Sequence, residues 1–101
     1  MHWAARKGRL EATRYLLNKG VSVNQLNKSQ RTPLHEAANN GYPEIVKTLL
    51  EAKACTTFWD ASGKTAMQLA EDNLSKSNSA AKVEDYQKII TMLETEECKI
   101  Q

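Results

Sequence analysis

Glycine, proline, cysteine and aromatic residues are all scarce in this chain, and each shortage closes off a class of protein. Four Gly and two Pro in 101 residues are too few for a many-stranded sandwich or barrel, whose corners consume such residues at short intervals. Two cysteines, Cys55 and Cys98, form neither a disulfide framework nor a metal-ligand spacing. A reducing compartment is therefore expected, cytoplasmic or nuclear. No apolar run is long enough to span a bilayer, and no basic segment leads into one. A net charge of +2 is too small to imply a polyanion partner by itself. No aromatic–basic RNA-binding motif is present, so no nucleic acid and no membrane is expected as a partner.

The plentiful residues are Ala, Leu, Lys and Glu, which favour helix. The length fits one domain with a limited core. Charge is unevenly spread. Residues 1–66 carry ten Lys/Arg against five Asp/Glu, and residues 67–101 carry four against seven. A basic front and an acidic tail matter for partner choice if the basic groups share one face.

The strongest signal is internal repetition. "HWAARKGRLEATRYLLNKG" from His2 aligns with "HEAANNGYPEIVKTLLEAK" from His35. Matched pairs are His2/His35, Ala4-Ala5/Ala37-Ala38, Gly8/Gly41 and Leu16-Leu17/Leu49-Leu50. A third copy begins on the same spacing, "RTPL" from Arg31 becoming "KTAM" from Lys64. Such a period denotes a stacked repeat array.

Local chemistry explains the unit. Thr32 can cap a helix that Pro33 opens, since proline has no N–H to leave unbonded in the first turn. Ala37-Ala38 allow close helix approach, and Asn40-Gly41 end the helix in a left-handed turn. Pro43 opens a second helix whose Ile45, Val46, Leu49 and Leu50 form one apolar stripe, with Glu44 complementing its dipole. An irregular stretch follows from Lys53, with β-prone Cys55 to Trp59 and a turn at Asp60–Gly63. The periodicity predicts helices near 1–7, 11–18, 33–40, 44–51, 66–72 and 83–96.

"TPLHEAANNG" followed by "EIVKTLL" resembles an ankyrin repeat. The resemblance implies an all-α ankyrin-repeat solenoid with a truncated first repeat and a degenerate C-terminal capping repeat. The units would be 1–26, 27–59 and 60–97, with a polar insertion at about 73–84 and a tail at 98–101. The third copy departs most: Ala66, Met67, Gln68 and Glu71 replace Pro, Leu, His and Ala. Its second helix is delayed by roughly eleven residues beyond the usual period of polar "NLSKSNSAAKVE". The apolar pattern resumes at Tyr86, Ile89, Ile90 and Leu93. Glu94, Glu96 and Glu97 oppose the helix dipole, so the end should fray. A polar last repeat suits a cap.

No catalytic site, metal or cofactor is expected. His2 and His35 have no nucleophile at a recognisable spacing, and the resemblance gives them the structural task of tying the helix start to its turn. His2 stands without the matching Thr. Gly63-Lys64-Thr65 mimics the end of a phosphate loop, but Phe58 occupies the required earlier Gly position; a turn before a capped helix is the better reading. Cys55 is expected to pack as a small hydrophobe and Cys98 to be a surface thiol. Ser75, Ser77 and Ser79 need no function in a solvated loop.

The resemblance implies a monomeric, non-catalytic protein-interaction module, binding through its concave face and hairpin tips. The partner-binding residues carried over are Arg6, Lys7, Leu26, Lys28, Ser29, Arg31, Asn39, Asn40, Trp59 and Lys64. Their charge favours an acidic or extended segment of a partner. Phe58 and Trp59 each either close the core or stand at the interface. The alternative is the terminal part of a longer ankyrin array that regulates or scaffolds a larger enzyme, channel or adaptor.

Overall fold

The computed structural model describes residues 2–54, 56 and 58–95. Among them are six helices and no strand. They are α1 His2–Arg6, α2 Leu10–Asn18, α3 Pro33–Asn40, α4 Pro43–Glu51, α5 Ala66–Lys76 and α6 Ala80–Thr95. The expectations for Cys55, Cys98, Glu96 and Glu97 fall outside the described residues.

The helices form two layers. α3 packs between α1 and α5, and α4 between α2 and α6. Ala4, Ala5, Ala37, Ala38, Ala66 and Ala70 are buried in the first layer, where a methyl group is the largest side chain that permits such close contact. Larger side chains fill the space between layers: Leu34, Ile45, Val46, Leu49, Tyr86, Ile89 and Leu93.

Helix starts follow the expected chemistry. Thr32 is extended, its hydroxyl accepts the His35 N–H at 3.3 Å, and Pro33 begins α3. Thr65 repeats this for α5, accepting from the Gln68 N–H at 3.3 Å, while Gln68 Oε1 accepts the Thr65 N–H at 2.9 Å. Gly41 ends α3 at φ +77°. A Cβ there would lie 3.2 Å from the Tyr86 ring, so a side chain would be strained in conformation and would press on the ring.

The polar insertion differs from expectation. α5 continues to Lys76 and α6 begins at Ala80, leaving only residues 77–79 as a loop. Ala80 and Ala81 are strong helix formers, and the added turns have work to do at the end of α3. Tyr86 Oη donates to the Asn39 carbonyl at 2.9 Å and Lys82 Nζ to the Asn40 carbonyl at 3.3 Å. The Lys82 ammonium also lies 5.3 Å from the centre of the Tyr42 ring. These groups satisfy carbonyls that the end of a helix leaves without intrahelical partners. Serine content suggested a loop because propensity does not reveal this tertiary anchor.

Gln30 adopts φ +59° at the hairpin position that Gly63 occupies in the next repeat. A side chain is disfavoured there by about 1–2 kcal/mol, partly offset by glycine's greater unfolded entropy. Gln30→Gly should therefore raise stability by about 0.5–1 kcal/mol, read as a higher denaturant midpoint at unchanged slope.

Candidate binding face

The face is built from two hairpins that repeat atom for atom. Asn27 Oδ1 accepts the Ser29 and Arg31 N–H groups at 2.9 and 3.0 Å. Asp60 Oδ1 accepts the Ser62 and Lys64 N–H groups at the same two distances. The backbone closes each turn, with Asn27 N–H on the Arg31 carbonyl and Asp60 N–H on the Lys64 carbonyl. The Ala61 N–H then donates to the Ser29 carbonyl at 2.8 Å, joining one hairpin to the next.

Histidines fix the helices to these hairpins. His35 Nδ1 accepts the Thr32 N–H at 3.1 Å, so the ring proton resides on Nε2, which lies 3.1 Å from the Lys64 carbonyl. His2 Nε2 reaches the Arg31 carbonyl at 2.7 Å; a carbonyl can only accept, so this nitrogen also donates. His2 thus makes the same bond to the next repeat as His35. Burial holds the His35 imidazole below its ordinary value of 6.5, although the Lys64 carbonyl and the Asp60 carboxylate favour its protonation.

Charge on the face divides into two kinds. Arg31 Nε donates to Asp60 Oδ2 at 3.2 Å, and its Nη1 lies 3.5 Å from Glu36 Oε1. Both carboxylates are buried. Burial pushes the Asp60 carboxyl up, but the Lys64 and Ser62 N–H donors and the Arg31 guanidinium outweigh it, leaving the group below its usual 3.8. Lys64 pairs with Asp72, and that bond holds the Asp72 carboxyl below the ordinary range. Arg31 is therefore neutralised within the fold, and Lys64 is paired at the surface. Arg6, Lys7 and Lys28 are exposed and make no ion pair with a described residue.

The internal pairs orient the other positions. Lys64 on a hairpin reaches Asp72 on α5, and Arg6 of α1 and Asn39 of α3 occupy the places equivalent to Asp72. Arg31 reaches Glu36, and Trp3 holds the place equivalent to Glu36. Trp3 and Arg6 thus stand on the hairpin side of the helix layer. Asn39 and Asn40 are half-buried. Asn39 Oδ1 accepts from Asn73 Nδ2 at 2.8 Å, and Asn40 Nδ2 donates to the Glu36 carbonyl at 2.9 Å. Ser29 is exposed and lends its carbonyl to the hairpin joint.

The large apolar side chains on this side are Trp59, 69% exposed, Trp3, 55%, and Leu26, 52%. Trp59 stands outside the core, while Phe58 is half-buried. The sequence reading missed Glu36 and Asp60 as buried anchors of Arg31. Asn27 and Asp60 share a repeat position, and that coincidence of two turn-forming side chains was the available signal.

Hairpins joined edge to edge and pinned to a layer of short helices define a repeat scaffold. The family model for ankyrin repeats, in three copies, matches residues 1–93, and the chain belongs to that family. It is similar to palmitoyltransferase AKR1 of Lachancea kluyveri, 44% identical over 71 residues, which are 69% of this chain and 10% of that protein. It is also similar to the E3 ubiquitin-protein ligase hecd-1 of Caenorhabditis elegans, 41% identical over 70% of this chain and 3% of that protein. Human palmitoyltransferase ZDHHC13 is 37% identical over 69% of this chain and 11% of its own length. The chain thus spans a small fraction of these relatives.

Two measurements check the anchoring network. Asp60→Ala removes the turn acceptor and the principal Arg31 partner and should cost about 2–4 kcal/mol, whereas Asp60→Asn, which keeps an acceptor oxygen, should cost clearly less. Stability should also fall as pH drops from about 6.5 through the depressed folded value of His35, because the unfolded chain takes up that proton first. His35→Gln should flatten this part of the curve, and Asp60 should add a second loss below about 3.8.

Proposed function

We propose that this chain is a protein-binding ankyrin module whose hairpin face takes an acidic segment of a partner. The observation supporting this reading is the division of charge. Arg31 and Lys64 are paired with Glu36, Asp60 and Asp72, while Arg6, Lys7 and Lys28 are exposed and unpaired among the described residues. The large side chains Leu26 and Trp59 are exposed as well. Fixed unpaired cations attract an acidic chain and set its association rate. Large apolar side chains on the same face would supply the area that charge alone does not. The module acts as a monomer in the cytoplasm or nucleus, and no described helix is long and apolar enough to cross a membrane.

A second reading is favoured by the comparisons. The matching regions are 3–11% of palmitoyltransferases and ubiquitin ligases, so the module would serve as the regulatory or scaffolding part of a larger protein. The two readings are compatible, since a docking region in a long enzyme still needs a face that binds.

The triple variant Arg6→Glu, Lys7→Glu, Lys28→Glu should weaken binding of a labelled Glu-rich peptide at least about tenfold, with unchanged helical circular dichroism. Arg31 is left intact, because a glutamate there would face Asp60 and Glu36. Unaltered affinity of the triple variant would rule out this face.

A further inference from the structure

Leu26 and Trp59 occupy the same place in successive repeats. Each directly precedes the residue whose side chain closes its hairpin, Asn27 in one case and Asp60 in the other. Both are more than half exposed, 52% and 69%. The two hairpins are joined by the Ala61 N–H bond to the Ser29 carbonyl, so the pair is displaced along the stacking direction by one layer of helices. Packed helices lie about 8–10 Å apart, and a polyproline II chain advances about 3.1 Å per residue with three residues per turn. Three residues of such a chain therefore span one layer and return the side chain to the same face.

We infer that the hairpin edge recognises an acidic segment in the polyproline II conformation carrying two large apolar side chains at i and i+3, one seated on Leu26 and the other on Trp59. This rests on the binding face proposed above and specifies its partner. Charge complementarity selects this occupant: Lys28 is exposed in the hairpin that follows Leu26, and Arg6 and Lys7 are exposed on α1. None of the three has a carboxylate partner among the described residues. The spacing sets the register, because the hairpin bonds fix Leu26 and Trp59 relative to each other before any ligand arrives. Acidic residues between and beside the two anchors would meet the cations, and the apolar pair would exclude water from the contacts.

The test uses two labelled Glu-rich peptides of equal length and composition, one with leucines at i and i+3, the other with the leucines adjacent. Fluorescence anisotropy should show the spaced peptide binding about tenfold tighter. Trp59→Ala and Leu26→Ala should each reduce the spaced peptide's affinity several-fold, bringing it towards that of the adjacent peptide. Both substitutions lie on exposed side chains, and circular dichroism will register any loss of fold. Equal affinity for the two peptides, with loss only in the charge-reversal variant, would overturn this inference while leaving the acidic-segment reading standing. Failure of both acidic peptides to bind would overturn both. A single-stranded oligonucleotide that binds as tightly as the spaced peptide would overturn the inference in favour of base stacking on Trp59. Concentration-dependent self-association abolished by Trp59→Ala would overturn it in favour of a second copy of this chain.

Discussion

Everything on the hairpin side depends on a bond from a histidine ring to a carbonyl of the next repeat. His2 reaches Arg31 and His35 reaches Lys64, and in each case the accepting residue also closes the hairpin it belongs to. One imidazole thus connects a helix start, a tight turn and the neighbouring unit. In His35 the bond from the Thr32 N–H to Nδ1 fixes the tautomer that makes this possible. Nδ1 can accept only while the ring is neutral, and burial lowers the imidazole's pKa in that direction. Gln68 stands at the third such position and preserves the local half of the arrangement, closing the start of α5 through Thr65.

Ionic groups refine the same frame. Arg31 lies between a carboxylate of the helix that follows it and one of the next hairpin, so it connects repeats as well as shielding them. An arginine suits this because its planar fork can address two acceptors at once. A residue that looks like surface charge in the sequence is a structural tie in the fold. The exposed cations that remain belong to α1 and to the first hairpin, so positive charge is concentrated towards one end of the face.

Much of this was legible in the sequence, for identifiable reasons. The caps at Thr32 and Thr65, the glycine turn at Gly41 and the apolar stripe of α4 are local chemistry, and local chemistry repeats visibly at a fixed period. The third repeat was harder to read. Its Ser-rich insertion has loop composition, yet α5 and α6 absorb nearly all of it, because Tyr86 and Lys82 find carbonyls more than forty residues away. The face was legible in outline only. Arg6, Lys7, Lys28 and Leu26 stand exposed, and so does Trp59, which the sequence left open between core and surface. The pairing of Arg31 and Lys64 depends on partners brought together by folding.

The lengthened α6 has a consequence for how the array comes apart. In a simple stack each unit answers only to its neighbours, and strands of stability add along the line. Here the last helix lies over the end of the middle repeat's first helix and holds its final carbonyls. α3 cannot fray at that end without lifting α6, so the second and third repeats open as a single body.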